Sequence, residues 1–127
     1  MRIALAELQR VLSSHFESLG LSPQHAAQFA EIVLEAELEG NAGHGLSRVA
    51  QYTRQLRAGG LNPKPRMRLE QTRPSVAVLH ADGAPGPVAG LRAVRELVAL
   101  AREQGSASVA VRGAGHSGGL SAYVGRL

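Results

Sequence analysis

"SVAVLHADGAPGPVAGLRAVRELVALAREQGSASVAVR", residues 75–112, decides the fold of this chain. Its first six residues, "SVAVLH" (75–80), are short, apolar and β-branched, which is the pattern of a strand. "ADGAPGP" (81–87) carries the glycine and proline punctuation of a turn, which accounts for Asp82, Gly83 and Gly86. "VAGLRAVRELVALAREQG" then changes to a helical period, with Leu91, Val94, Leu97 (or Val98) and Ala101 expected inward. "ASVAVR" (107–112) reads as a second, buried strand. Two strands joined through a helix at this spacing form a parallel βαβ unit. A sheet of two parallel strands leaves both as edges, with both faces in need of cover.

Upstream, the period is helical throughout. Leu5, Leu8, Leu12, Phe16 and Leu19 recur at spacings of three and four, and Gly20 is a natural stop. Ser22 followed by Pro23 predicts an N-cap with proline in the first helical turn, and this helix runs to Gly40. A third helix is predicted from near Gly45, with Leu46, Val49, Thr53 and Leu56 on one side and Gly59 and Gly60 at its end. "LNPKPRMRLEQTRP" (61–74), proline-rich and basic, reads as an exposed connector with a short extended segment. The expected class is therefore α/β. A three-helix segment (1–60) and a connector (61–74) lead into a βαβ unit (75–127) that begins an incomplete sheet.

Composition narrows the chemistry. With no cysteine in 127 residues, disulfides, thiolate nucleophiles and thiolate metal sites are excluded, and the chain fits a cytoplasmic setting. No tryptophan and only four Phe and Tyr residues leave an expected core of aliphatic side chains. The N-terminal apolar run is too short for a signal peptide, and no stretch reaches the ~20 residues of a membrane span. The formal charge of +4 suits an anionic partner. However, Lys64 is the one lysine among fourteen basic residues, so arginine-rich composition explains the charge as well as a nucleic-acid surface does.

Two histidines stand among glycines. In "GNAGHGLSR" (40–48), His44 comes just before the predicted third helix, where free N–H groups and the macrodipole favour anions. Arg48 follows one turn later on the same side. A guanidinium, free N–H groups and an imidazole make a site for a small carboxylate beside a proton donor or acceptor. The plain alternative is that His44 caps the helix and Arg48 is solvated. In "RGAGHSGGL" (112–120), His116 follows the second strand, at the carboxyl end where open α/β sheets bind ligands. That loop is either a phosphate-approaching turn or merely a flexible one. His15, His25 and His80 read as structural. No helical histidine pair or carboxylate spacing supports a metal at His44, His80 and His116.

Taken together, these stretches resemble the malate/L-lactate dehydrogenase family, which is unrelated to the Rossmann-type enzymes. It includes ureidoglycolate and sulfolactate oxidoreductases and the Δ1-piperideine-2-carboxylate / Δ1-pyrroline-2-carboxylate reductases. The carrying residues are "LEAELEGNAGHGLSRVAQYTRQLRAGGLNPKP", "VLHADGAPGPVAG" and "VAVRGAGHSGGLSAYV". The resemblance implies an oxidoreductase that uses NADPH or NADH without a Rossmann fingerprint and acts on a small 2-keto or cyclic 2-imino acid. It assigns the proton to His44, the substrate carboxylate to Arg48, and the cofactor loop to His116, Ser117, Gly118, Gly119 and Leu120. The loop lacks a bulky residue after His116, which is similar to the imino acid reductase branch. Where the family has Ser before its histidine, this chain has Gly43, with Ser47 the nearest hydroxyl. Family members are longer, so the chain alone is expected to be inactive and to self-associate or pair with a complementary chain. The competing expectation is a non-catalytic module binding an anionic surface through Lys64, Arg66, Arg68 and Arg73, although it lacks base-stacking aromatics.

Overall fold

The parallel pair expected within residues 75–112 is present, but it does not stand alone. In the computed structural model, which describes residues 2–127, β1 (Arg68–Arg73) lies antiparallel to β2 (Val76–His80). β2 in turn lies parallel to β3 (Ser108–Arg112), so the order is β1-β2-β3. The connector's second half is therefore a strand, and β2 is central rather than an edge. "RLEQTR" carries little β-branched signal. It forms a strand because β2 offers it a ladder and the Pro74–Ser75 turn folds it back, a tertiary context that overrides propensity.

β3 also departs from its sequence pattern. It was expected to be buried, yet it is the outer strand and is largely exposed, with Val111 at 43%. Burial in the sheet concentrates on β2, whose Ala77 and Leu79 are fully covered. The crossover helix α4 (Gly86–Gln104) covers its expected face only in part. Leu100 is its buried leucine, whereas Leu91 and Val94 are half-buried against Ile32, Ala122 and Tyr123.

The helical segment follows its period closely. α1 (Leu5–Ser18) presents Leu12 and Phe16 inward. Ser22 caps α2 (Pro23–Leu38), its Oγ accepting the His25 N–H at 3.2 Å. A 3₁₀ turn (Leu46–Arg48) leads into α3 (Val49–Arg57), which buries Tyr52 and Leu56. The core they share is not purely aliphatic. Phe16 stacks on Phe29 at 4.2 Å, and Phe29 meets Tyr52 edge-on at 4.8 Å. Few aromatic residues are present, but all four Phe and Tyr are buried, so their scarcity did not predict their position.

The final short helix α5 (Ser121–Val124) is held against α2 by charge. The Arg126 guanidinium meets Glu31 at 2.6 Å and also pairs with Glu35, and these carboxylates raise its pKa above the ordinary arginine value. Ser121 Oγ donates to Glu39 Oε2 at 2.8 Å. These ties hold residues 113–120, the loop between β3 and α5, against the helical layer. Among the described residues no helix is long and apolar enough to cross a membrane.

Candidate functional site

His44 is placed by the way α2 ends. Gly40 adopts φ +75°, its N–H donates to Glu37 O, and the Asn41 N–H donates to Ala36 O. This is a Schellman termination, which uses the last carbonyls of the helix and turns the chain sharply. A β-turn follows at once, with the His44 N–H donating to Asn41 O at 2.9 Å. The first and fourth residues of that turn share a side, and the His44 Nδ1–H donates to Asn41 Oδ1 at 2.9 Å. The ring is thereby held through Nδ1.

The expected anion site at the head of the third helix is already filled. Glu37 Oε2 accepts the Leu46 N–H at 2.9 Å. Gly45 is glycine for the same reason: a Cβ there would collide with the Glu37 carboxylate. The close approach is made by the chain's own carboxylate, not by a ligand. Gly43 differs, because a Cβ at that position meets nothing within 4 Å.

Arg48 reaches back along the turn. Its Nε donates to Gly43 O and its Nη1 to Gln51 Oε1, both at 2.7 Å. Two of the five guanidinium N–H donors are used in this way, which fixes the plane and leaves the other three for an anion.

His116 arrives from the other loop and stacks on His44, the centroids 5.6 Å apart and the planes 12° from parallel. Its Nδ1 accepts from Gly118 N–H at 3.2 Å and lies 3.1 Å from the Tyr52 hydroxyl. A backbone N–H can only donate, so Nδ1 carries the lone pair, Tyr52 donates as well, and Nε2 bears the proton. Loss of water around the ring holds the His116 pKa below the ordinary imidazole value, and the Arg48 charge and then His44 push it the same way. Burial pushes the Tyr52 hydroxyl pKa up, with Arg48 opposing. The structure thus brings together His44, Arg48 and His116. Tyr52, Asn41, Gln51 and Glu37 join them, although sequence reasoning gave none of these a role. Tyr52 was findable, since it lies one turn beyond Arg48. Asn41 could be found only from a turn that the sequence does not announce.

Two of the four remaining loop residues border a cleft of about 460 Å³ between α4, β3 and α5. Ser117 and Leu120 line it with Ala89, Val94, Leu97 and Tyr123, while neither imidazole does. Its size is within the range of small-molecule sites. Its mostly apolar walls suit a flat ring better than a phosphate. The Gly118 N–H is already bonded to His116, and α5 has only one turn of helix to offer. The loop's anchor is internal: a Cβ on Gly86 would run into the His116 carbonyl.

The basic connector is partly neutralised. Arg68 lies 3.6 Å from Glu70 Oε2, which also meets His80 Nε2 at 2.7 Å. His80 first and then Arg68 hold the Glu70 carboxyl below its usual range. The backbone N–H groups of Lys64 and Arg66 donate to Asn62 and Asp82.

A family model described as malate/L-lactate dehydrogenase matches residues 3–127. The chain belongs to this family. Within it, the chain is 36% identical to ureidoglycolate dehydrogenase (NAD(+)) of Escherichia coli (strain K12) over 124 residues, covering 98% of this chain and 36% of that protein. Among solved structures of the family, malate dehydrogenase from Pyrococcus horikoshii OT3 superposes with a TM-score of 0.93 at 27% identity, covering 97% of this chain and 35% of that one. Δ1-piperideine-2-carboxylate reductase from Pseudomonas syringae superposes with a TM-score of 0.86, also at 27% identity, covering 94% of this chain and 36% of that one. The chain thus spans about a third of the length of these malate/L-lactate dehydrogenase family members.

Proposed function

We propose that this chain carries the substrate site of an NAD(P)H-dependent oxidoreductase that interconverts a small 2-keto acid, or a cyclic 2-imino acid, with its reduced form. The observation that carries this reading is the meeting of His44, Arg48 and His116, brought from two distant loops onto one face. Family membership supports it. The nicotinamide, when bound, supplies a hydride to the substrate carbon, and Ser117, Gly118, Gly119 and Leu120 are the residues proposed to hold it beside His116.

The chain's own residues do the rest. Arg48 pairs the substrate carboxylate with its unused N–H donors, which fixes the adjacent carbon. His44, held by Nδ1, donates the proton from Nε2 to the carbonyl oxygen or imine nitrogen as the C–H bond forms, and it recovers the proton in the reverse direction. Hydride and proton together balance the reduction. His116, whose Nδ1 accepts from the Gly118 N–H and the Tyr52 hydroxyl, presents Nε2–H as a further donor to the substrate. The same reading carries the expectation of self-association or of a complementary chain, because β3 presents an unpaired outer edge; light scattering tests this.

The test is steady-state reduction by the product of the complete reading frame, using a panel of 2-keto acids and a cyclic imino acid with both NADH and NADPH. Arg48→Ala should raise KM by roughly 10- to 100-fold, the value of a lost charge-assisted hydrogen bond. An unchanged KM removes Arg48 from its role. Absence of turnover on every substrate overturns the reading, and salt-sensitive binding of a nucleic-acid duplex then favours an anion-binding module.

A further inference from the structure

Resting on that reading, we infer that Asn41 is the positioning residue for His44, fixing the tautomer that leaves Nε2 free for proton transfer. A histidine can act as a defined acid only if its other nitrogen is held, since either nitrogen can carry the neutral proton. Residue 43 cannot do this, because it is glycine with open space where a side chain would stand. Ser47 cannot either, because its hydroxyl donates to Ala42 O. Glu37 is engaged by Leu46 N–H, and Arg48 can only donate. Among the described residues, Asn41 Oδ1 is the acceptor that meets the ring, at 2.9 Å from Nδ1.

The geometry behind this contact is built by the backbone. The Schellman termination of α2 fixes Asn41, and the following turn fixes His44 three residues later. Both ties use main-chain atoms, so the side chain of Asn41 is not needed to form the turn. Asparagine at the first position of a turn commonly bonds the backbone two residues on. Here its oxygen goes to an imidazole instead. Because Oδ1 only accepts, it suits both the imidazolium and the Nδ1–H neutral ring. The bond can therefore persist throughout proton transfer. A carboxylate would do the same with an added charge.

The experiment compares wild type, Asn41→Ala and Asn41→Asp. Nitrogen-15 spectra of the labelled histidines, taken above their titration, report directly which ring nitrogen of His44 carries the proton. Wild type and Asn41→Asp should show the Nδ1–H form, and Asn41→Ala should move towards Nε2–H. The backbone turn survives both changes, and the circular dichroism spectrum checks that it does. With the product of the complete reading frame, Asn41→Ala should lower kcat by about 10- to 100-fold and leave KM within about 2-fold, because orientation rather than binding is lost. Asn41→Asp should restore most of kcat. An Nε2–H wild-type ring, or an Asn41→Ala ring identical to wild type, overturns the proposal. The spectra do not depend on turnover. Correct tautomers with no turnover on any substrate would sink the oxidoreductase reading while leaving the Asn41–His44 tie in place.

Discussion

His44 and His116 sit in similar sequence, each just after a glycine in a loop before a helix, and they stack on one another. Yet the structure holds them in opposite ways. The Nδ1 of His44 donates to a side-chain amide of its own turn. The Nδ1 of His116 accepts from a backbone N–H and from Tyr52, which rests on the aromatic core. One ring is supported locally and the other by the whole helical layer. Two histidines in similar settings can therefore present different chemistry, because the neighbour's donor or acceptor character selects the tautomer.

The largest effect expected to break this contrast comes from Phe29→Ala. Phe29 is fully buried and touches both Phe16 and Tyr52, so its removal should cost about 3–5 kcal/mol in denaturant unfolding. In the surviving native population the His116 signals should shift while those of His44 stay. A cost below about 1 kcal/mol, or an equal disturbance of both rings, would show that His116 is not hung on the core.

Next in size is a comparison of glycines. Gly86→Ala drives a Cβ against the His116 carbonyl and should cost about 1–3 kcal/mol with displacement of the 113–120 loop. Gly43→Ala, with open space, should stay within about 0.5 kcal/mol. Thermal melts of the two variants separate them, and equal melting temperatures would contradict the packing described.

Tyr52→Phe is smaller still. It removes one hydroxyl from His116 Nδ1 and should cost about 1 kcal/mol. The Gly118 N–H remains, so the Nε2–H tautomer should persist in the nitrogen-15 spectrum. A switch of tautomer would place the control in Tyr52 alone.

The gentlest probe is pH. The folded-state pKa of His116 lies below 6.5, and so does that of His25, where burial and then Arg95 act. The unfolded chain therefore takes up protons first as pH falls. Stability is full above 6.5 and declines as pH drops through 6.5 towards the lowered values. Urea midpoints between about pH 7.5 and 5.5 should fall modestly. A rise over that interval would mean that His116 gains a partner when protonated.

Local pattern determined much of this protein. The periods of α1 and α2, the Ser22–Pro23 start and the Gly40 stop were legible, because caps and helical faces are written within a few residues. The strand-helix-strand unit was legible for the same reason, as were His44, Arg48 and His116 as residues of interest. Only the tertiary structure made "RLEQTR" a strand, since its ladder partner is β2. It left β3 exposed because no further strand among the described residues pairs its outer edge. It placed Glu37 at the head of the third helix, where the sequence had left room for an anion. It also decided the two tautomers. Hydrogen-bond direction depends on which group arrives in space, and Asn41, Gly118 and Tyr52 reach the rings only after α2 has turned and α5 has docked.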